Sequence, residues 1–197
     1  MPRSSCREVK KIVEQKRPIL ILISGLPGTG KSTLARKLSR KYKLEHISTD
    51  SVRKRIFRGV RKAEFNKGYY SERDRFTVYE TIFYLVYTLL KHNVGCVVDG
   101  TFYKETLRQK LFRIARKFNA KFLLIIATCP ERVVKERFKQ REKLHKRTLS
   151  DADFAIYLKL KEIFEPTTLP HLKINLITDP KNILNKIENA LKRDGFH

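Results

Sequence analysis

Eight residues, Gly25-Leu26-Pro27-Gly28-Thr29-Gly30-Lys31-Ser32, set glycines, a lysine and a hydroxyl in the spacing G-x-x-x-x-G-K-[ST]. The glycines let successive backbone N–H groups turn inward as a nest for anionic oxygens. A helix opening at Lys31 adds free N–H groups and the positive end of its dipole. In such a cradle Lys31 pairs with the β- and γ-phosphates of a nucleoside triphosphate, Ser32 ligates Mg²⁺, and Thr33 follows in the same helical turn. The apolar run Ile19–Ser24 before the loop supplies the strand that the motif requires.

Two carboxylates close other apolar runs. Asp50 follows Leu44–Ser48 and can accept a proton from an attacking O–H held about 3 Å away; it can equally cap a helix over Ser51–Phe57. Arg53, one turn later, can clamp a phosphate, orient Asp50, or stand in solvent with Lys54 and Arg55. Asp99 ends Val94–Asp99 and can hold Mg²⁺ through water or contact the acceptor. Residues 131–147 carry eight Lys and Arg against three Glu. Within them Arg137 and Arg141 lie at i and i+4 on one helix face, with Arg132 and Arg147 as rivals for the same task. Stabilising the negative charge that spreads over a transferring phosphoryl group is work for mobile arginines.

The elements that must position these residues alternate between short β-rich runs and helix-length segments. The expected strands are Ile19–Ser24, Leu44–Ser48, Val94–Asp99, Lys121–Thr128 and Lys173–Thr178. Their apolar residues are nearly continuous, as in a parallel sheet covered on both faces. The expected helices are Lys31–Tyr42, 71–92, Lys104–Phe118, Pro130–Lys143, Ser150–Phe164 and Pro180–Arg193. Ser71 with Asp74 forms a capping box; Ser150 and Asp179 are further N-caps, and Gly195 lies past the last helix. Alternating βα units imply right-handed crossovers and an open sheet with ligands beyond the carboxyl ends of its strands.

The segments "GLPGTGKSTLAR", "STDSVRKR", "VVDGTF", "CPERVVKERFKQR" and "SDADFAIYLKLKEIFEP" together resemble the small P-loop kinases. The branch holds phage-type polynucleotide kinases, zeta-toxin-like kinases and a predicted-kinase group with an AAA-type ATPase domain, often fused to aminoglycoside-phosphotransferase-like domains. The resemblance covers about residues 18–185. It implies a three-layer α/β/α fold with a five-stranded, mainly parallel sheet and a basic lid over about residues 131–150, and the expected kinase domain spans 18–197 after a basic N-terminal extension, 1–17. It further implies ATP with Mg²⁺ and γ-phosphoryl transfer to an acceptor hydroxyl. The nucleotide would be bound by residues Gly25 to Thr33, with Lys31, Asp50, Arg53, Arg137 and Arg141 catalytic and Ser32 and Asp99 at the metal. No guanine-reading N-K-x-D motif is present.

Composition bears on the acceptor. Forty-four Lys and Arg against 20 Asp and Glu give a formal charge of +24 in 197 residues, an excess that suits a polyanionic partner. The insert Arg53–Arg75 has nine basic residues against three acids, interleaved with Phe57, Phe65, Tyr69 and Tyr70. Such a mixture suits a strand of RNA or DNA, with bases stacked and phosphates neutralised; the aromatics can instead pack inside the domain. Acceptors consistent with the sequence are therefore a 5′-hydroxyl of RNA or DNA, or a small metabolite, nucleotide-sugar or antibiotic. An ATP-controlled RNA-binding module without catalysis is the other class. Cys6, Cys96 and Cys129 offer no disulfide framework or CxxC site, and Cys96 and Cys129 are expected to be buried thiols. The five histidines share no metal spacing. With no membrane-length apolar run and no signal-peptide pattern, a cytoplasmic protein is expected.

Overall fold

A computed structural model describes residues 17–57, 71–143 and 154–193. Five strands, β1 (Ile19–Ser24), β2 (Glu45–Ser48), β3 (Cys96–Gly100), β4 (Lys121–Thr128) and β5 (His171–Asn175), form one sheet in the order β2-β3-β1-β4-β5. All four pairings are parallel. The helices are α1 (Lys31–Tyr42), α2 (Thr49–Ile56), α3 (Glu72–Lys91), α4 (Glu105–Lys117), α5 (Glu131–Lys143), α6 (Phe154–Glu162) and α7 (Pro180–Lys192).

The central strand explains the three layers. Leu20 to Ile23 are fully buried, and alternate residues serve opposite faces. Leu20 and Leu22 pack with Val78, Ile82 and Val86 of α3 and Leu111 of α4. Ile21 and Ile23 pack with Leu34 and Leu38 of α1 and Ile183 and Ile187 of α7. Helices α5 and α6 lie instead over the loop after β1, where Leu26 joins the clusters around Val134 and Phe138 and around Tyr103 and Ile156. That arrangement brings the basic helix onto the glycine loop.

Several expected boundaries shift. The last strand runs His171–Asn175 rather than Lys173–Thr178. The Asn175 side chain accepts from the Ile177 N–H at 3.3 Å, and the Thr178 N–H closes onto the Asn175 carbonyl at 3.2 Å, so the chain turns where the apolar run continues. Strand β3 starts at Cys96 because Asn93, at φ 58°, ends α3 and Val94 folds back to donate to the Leu89 carbonyl. Ser71 does cap α3, accepting from the Asp74 N–H at 3.2 Å. Asp50 is no cap: α2 begins at Thr49 with Ser48 as its N-cap, and Asp50 lies in the first turn. Cys96 is buried, whereas Cys129 is only half-buried. The expectations at Cys6, Phe65, Tyr69, Tyr70, Arg147, Ser150 and Gly195 fall outside the described residues.

One buried cation fixes the floor of the site. Arg108 of α4 is completely buried. It donates to the carbonyls of Phe102, Glu165 and Pro166 at 2.7, 2.7 and 2.6 Å, and to Glu105 at 2.9 Å. Two chain segments distant in sequence are thereby held together after β3. Arg108→Ala strands several buried acceptors and is expected to cost about 3–5 kcal/mol, read as a lowered urea midpoint; an unchanged midpoint would count against this role.

Candidate nucleotide and acceptor site

The loop after β1 is built to leave N–H groups available. Gly30 stands at the N-cap of α1 with φ 106°, which favours glycine, and no side chain caps the helix there. The first turn of α1 contains no acid, which leaves the positive end of its dipole to an anionic ligand. Three of the loop's carbonyls are engaged by side chains. Leu26 O accepts from Lys31 Nζ at 2.8 Å and from Thr29 Oγ1 at 2.9 Å. Arg137 of α5 donates to Gly28 O at 3.0 Å and Thr29 O at 2.9 Å. Gly28 has no room for a side chain: a Cβ would sit 2.9 Å from Phe138 and Val134 of α5. These features fit a triphosphate tail.

Lys31 is 8% exposed. Burial lowers its pKa from the usual 10.5 to about 8, while Asp99 and Asp50 oppose the shift and Arg141 adds to it. The folded protein therefore holds this proton less tightly than the unfolded chain, so stability should rise with pH between about 8 and 10.5. Affinity for a triphosphate, which needs the ammonium, should begin to fall near pH 8. Titrating the non-hydrolysable ATP mimic AMPPNP across pH 7–9.5 checks this; Lys31→Met should flatten the decline, and an equal decline in both proteins would refute the assignment.

Asp99 is 2% exposed at the end of β3, with Ile23 of β1 and Ser48 of β2 as its neighbours in register. Its two oxygens are divided. Ser32 Oγ donates to Oδ2 at 2.6 Å, and His46 Nε2 lies 2.6 Å from Oδ1, so the imidazole proton belongs on that nitrogen. His46 shares a face of β2 with Ser48. That alternation was its only signal in the sequence.

Asp50 accepts from Arg53 NH1 at 2.9 Å, one turn along α2. The Asp50 side chain keeps about a quarter of its surface exposed, while that of Arg53 keeps 9%. Asp50, Asp99, Lys31, Ser32 and Arg141 all line one cavity of about 490 Å³ beyond the strand ends. Arg36, Arg75, Tyr79 and Tyr103 also line it, and of these Arg75 belongs to the basic insert expected near the acceptor. A second cavity of about 300 Å³ lies behind Gly28 and Gly30, lined by Arg137, Leu176 and Ile183.

The two arginines of α5 are thus separated. Arg137 grips the loop's carbonyls; Arg141 borders both cavities, and burial, with Arg137 nearby, lowers its pKa against the pull of Asp50. Among the described residues no cluster of three or more His, Cys, Asp or Glu could hold a metal. Magnesium asks for less: it binds through one or two protein oxygens plus phosphates and water, which Ser32 and Asp99 suit. No helix among the described residues is long and apolar enough to cross a membrane.

The family described as AAA domain matches residues 20–167, three-quarters of the chain and the span from β1 to the segment held by Arg108. The chain belongs to the AAA domain family. Its fold is the P-loop kinase fold: a candidate kinase from Chloroflexus aurantiacus superimposes with TM-score 0.69 at 21% identity, over 91% of this chain and 99% of that one. The APS kinase CysC of Mycobacterium tuberculosis, solved with AMPPNP and APS, gives 0.61 at 16% identity, over 89% and 98%. In sequence, this AAA-domain chain is 35% identical over 125 residues to an adenylate kinase of Mesomycoplasma hyopneumoniae, 61% of the chain and 57% of that enzyme's length. An uncharacterized Mycobacterium tuberculosis protein is 36% identical over 100 residues, 49% of this chain and 20% of that protein.

Proposed function

We propose that this AAA-domain chain is an ATP-dependent kinase that transfers the γ-phosphoryl group to an acceptor hydroxyl. The observation that carries the reading is the convergence of Lys31, Arg141 and Asp50 on one cavity in front of the glycine loop. Residues Gly25 to Thr33 bind the triphosphate, with inward N–H groups on its oxygens and Lys31 leaving Leu26 O for the β- and γ-phosphates. The nucleoside end extends toward the cavity lined by Leu176 and Ile183. Ser32 and Asp99 would hold Mg²⁺, which would neutralise negative charge on the phosphate tail.

Asp50, steadied by Arg53, takes the proton of the acceptor hydroxyl as its oxygen attacks the γ-phosphorus. The oxygen–phosphorus bond forms as the bond to the β-bridging oxygen breaks, and ADP carries away that electron pair. Arg141 meets the negative charge on the transferring group. Arg137 keeps the loop shaped for it. Helix α5 serves as the lid.

A carboxylate at the attacking position favours a hydroxyl over a phosphate as the acceptor atom, since an ionised phosphate has no proton to give and would be repelled by Asp50. The γ-labelled ATP experiment spans 5′-hydroxyl RNA and DNA, nucleosides, sugars and aminoglycosides. The expected result is label on an alcohol oxygen of one class. Label on a nucleoside monophosphate's phosphate, or none beyond free phosphate, would overturn the reading.

A further inference from the structure

The end of the sheet opposite the cavity has no part in the kinase reading, and its charge is one-sided. The parallel strands start there: Ile19 of β1 pairs in register with Lys121 of β4, and Cys96 of β3 with both Leu20 and Glu45. Four helices end there. On one face the end of α1 meets that of α7 through the Lys41–Glu188 ion pair, and Lys121 Nζ donates to the Leu191 carbonyl. On the other face Tyr87 of α3 meets Phe118, the C-cap of α4, edge to face with ring centres 4.8 Å apart. At about 3.3 Å per residue, the 6 residues of β1 put this end roughly 20 Å from the strand ends that carry the cavity.

Cations crowd this end. Helix α1 closes with Arg40 and Lys41, α4 with Arg116 and Lys117, α3 with Lys91 and α7 with Lys192. Arg17, Lys43 and Arg193 stand just beyond the elements, and all nine of these side chains are exposed. Among the described residues the acids at this end are Glu45 and Glu188, and Glu188 already pairs with Lys41. A cation in the last turn of a helix suits its dipole, yet one per helix serves that purpose, and α1 and α4 each carry two. Gathering them on one surface adds mutual repulsion that a bound polyanion relieves. The sixteen residues that precede Arg17 carry five Lys and Arg against two Glu, so the chain attached here has the same sign.

This surface offers charge and little else. The aromatic rings near it are half-buried and engaged: Lys117 lies 4.9 Å over Tyr87, and Lys41 lies 5.8 Å over Tyr42. They do not stand out for stacking on bases. Among the described residues Val94, 39% exposed, is the one large apolar side chain presented here, whereas attachment to a lipid surface draws on buried apolar area as well as charge. A nucleic-acid duplex asks for neither. It presents one negative charge per about 1.7 Å of its axis, and spread cations meet its phosphates without reading its bases. We propose that this basic end is a sequence-independent binding surface for a nucleic-acid duplex. The proposal does not depend on the kinase reading, since no residue of the cavity enters it. The same phosphates belong to RNA and DNA.

The test uses the whole chain with saturating AMPPNP and Mg²⁺, so that the glycine loop is filled. Fluorescence anisotropy follows labelled RNA and DNA duplexes of about 20 base pairs and scrambled sequence, across about 50–300 mM KCl. Wild type should bind at low salt, and the tighter of the two duplexes identifies the source. Arg40→Glu, Lys91→Glu and Arg116→Glu combined should weaken binding about 10–100-fold and flatten the logarithmic salt slope by about two to three. AMPPNP affinity within about twofold of wild type checks the fold of that variant. Lys104→Glu, Lys139→Glu and Lys181→Glu combined change the net charge equally on exposed residues away from this end, and should cost about threefold or less. No duplex binding by wild type at about 50 mM KCl, or equal losses in the two variants, would overturn the proposal. So would a first variant that keeps the duplex but loses binding to phosphatidylserine vesicles.

Discussion

Asp50→Asn is expected to lower the rate of phosphoryl transfer about a thousandfold, within the range general-base removal commands, while AMPPNP affinity stays within about twofold. The substitution keeps the shape of the side chain and the oxygen that accepts from Arg53 at 2.9 Å. It removes the capacity to take a proton. Folding should be nearly unaffected, since Asp50 is partly exposed and caps no helix. A variant that transfers phosphate at the wild-type rate would show that the acceptor reaches the γ-phosphorus without a base, and Asp50 would then be an anchor for Arg53. Loss of AMPPNP binding in parallel would point to a structural role.

Arg141→Ala is expected to reduce turnover by about 10²–10³, the cost of removing one charge-stabilising donor from a transition state. Arg137→Ala should act differently. Arg137 holds the carbonyls of Gly28 and Thr29, so its loss should loosen the loop and raise the KM for ATP more than it lowers kcat. The pair separates two roles that share a helix face. Steady-state kinetics on both variants decides: a kcat loss at Arg137 with little change at Arg141 would reverse the assignment.

The glycine loop, the five-stranded parallel sheet and most helices were legible in the sequence because continuous apolar runs and helical spacing reflect burial directly. The apolar run after Lys173 misled, because β5 is an edge strand with Ile174 as its buried residue and its end is set by a side-chain turn at Asn175. Spacing also put Arg137 and Arg141 on one face, yet could not say that one reaches backward to the loop and the other forward into the cavity. That distinction depends on where α5 lies across Gly28, a tertiary fact. His46 and Tyr103 escaped for the same reason: a histidine in a short strand and a tyrosine after an apolar run are ordinary until the sheet brings them to one opening. Arg108 was hidden among the basic residues of α4, although it alone of them is completely buried.

The most direct measurement is a crystal structure of the chain with AMPPNP and magnesium. The account predicts the triphosphate in the glycine loop, Lys31 released from the Leu26 carbonyl onto its oxygens, and the γ-phosphate facing Asp50 across room for one hydroxyl, with Arg141 at its flank. A nucleotide bound with its terminal phosphate turned away from Asp50, or a loop left empty at saturating nucleotide, would contradict it.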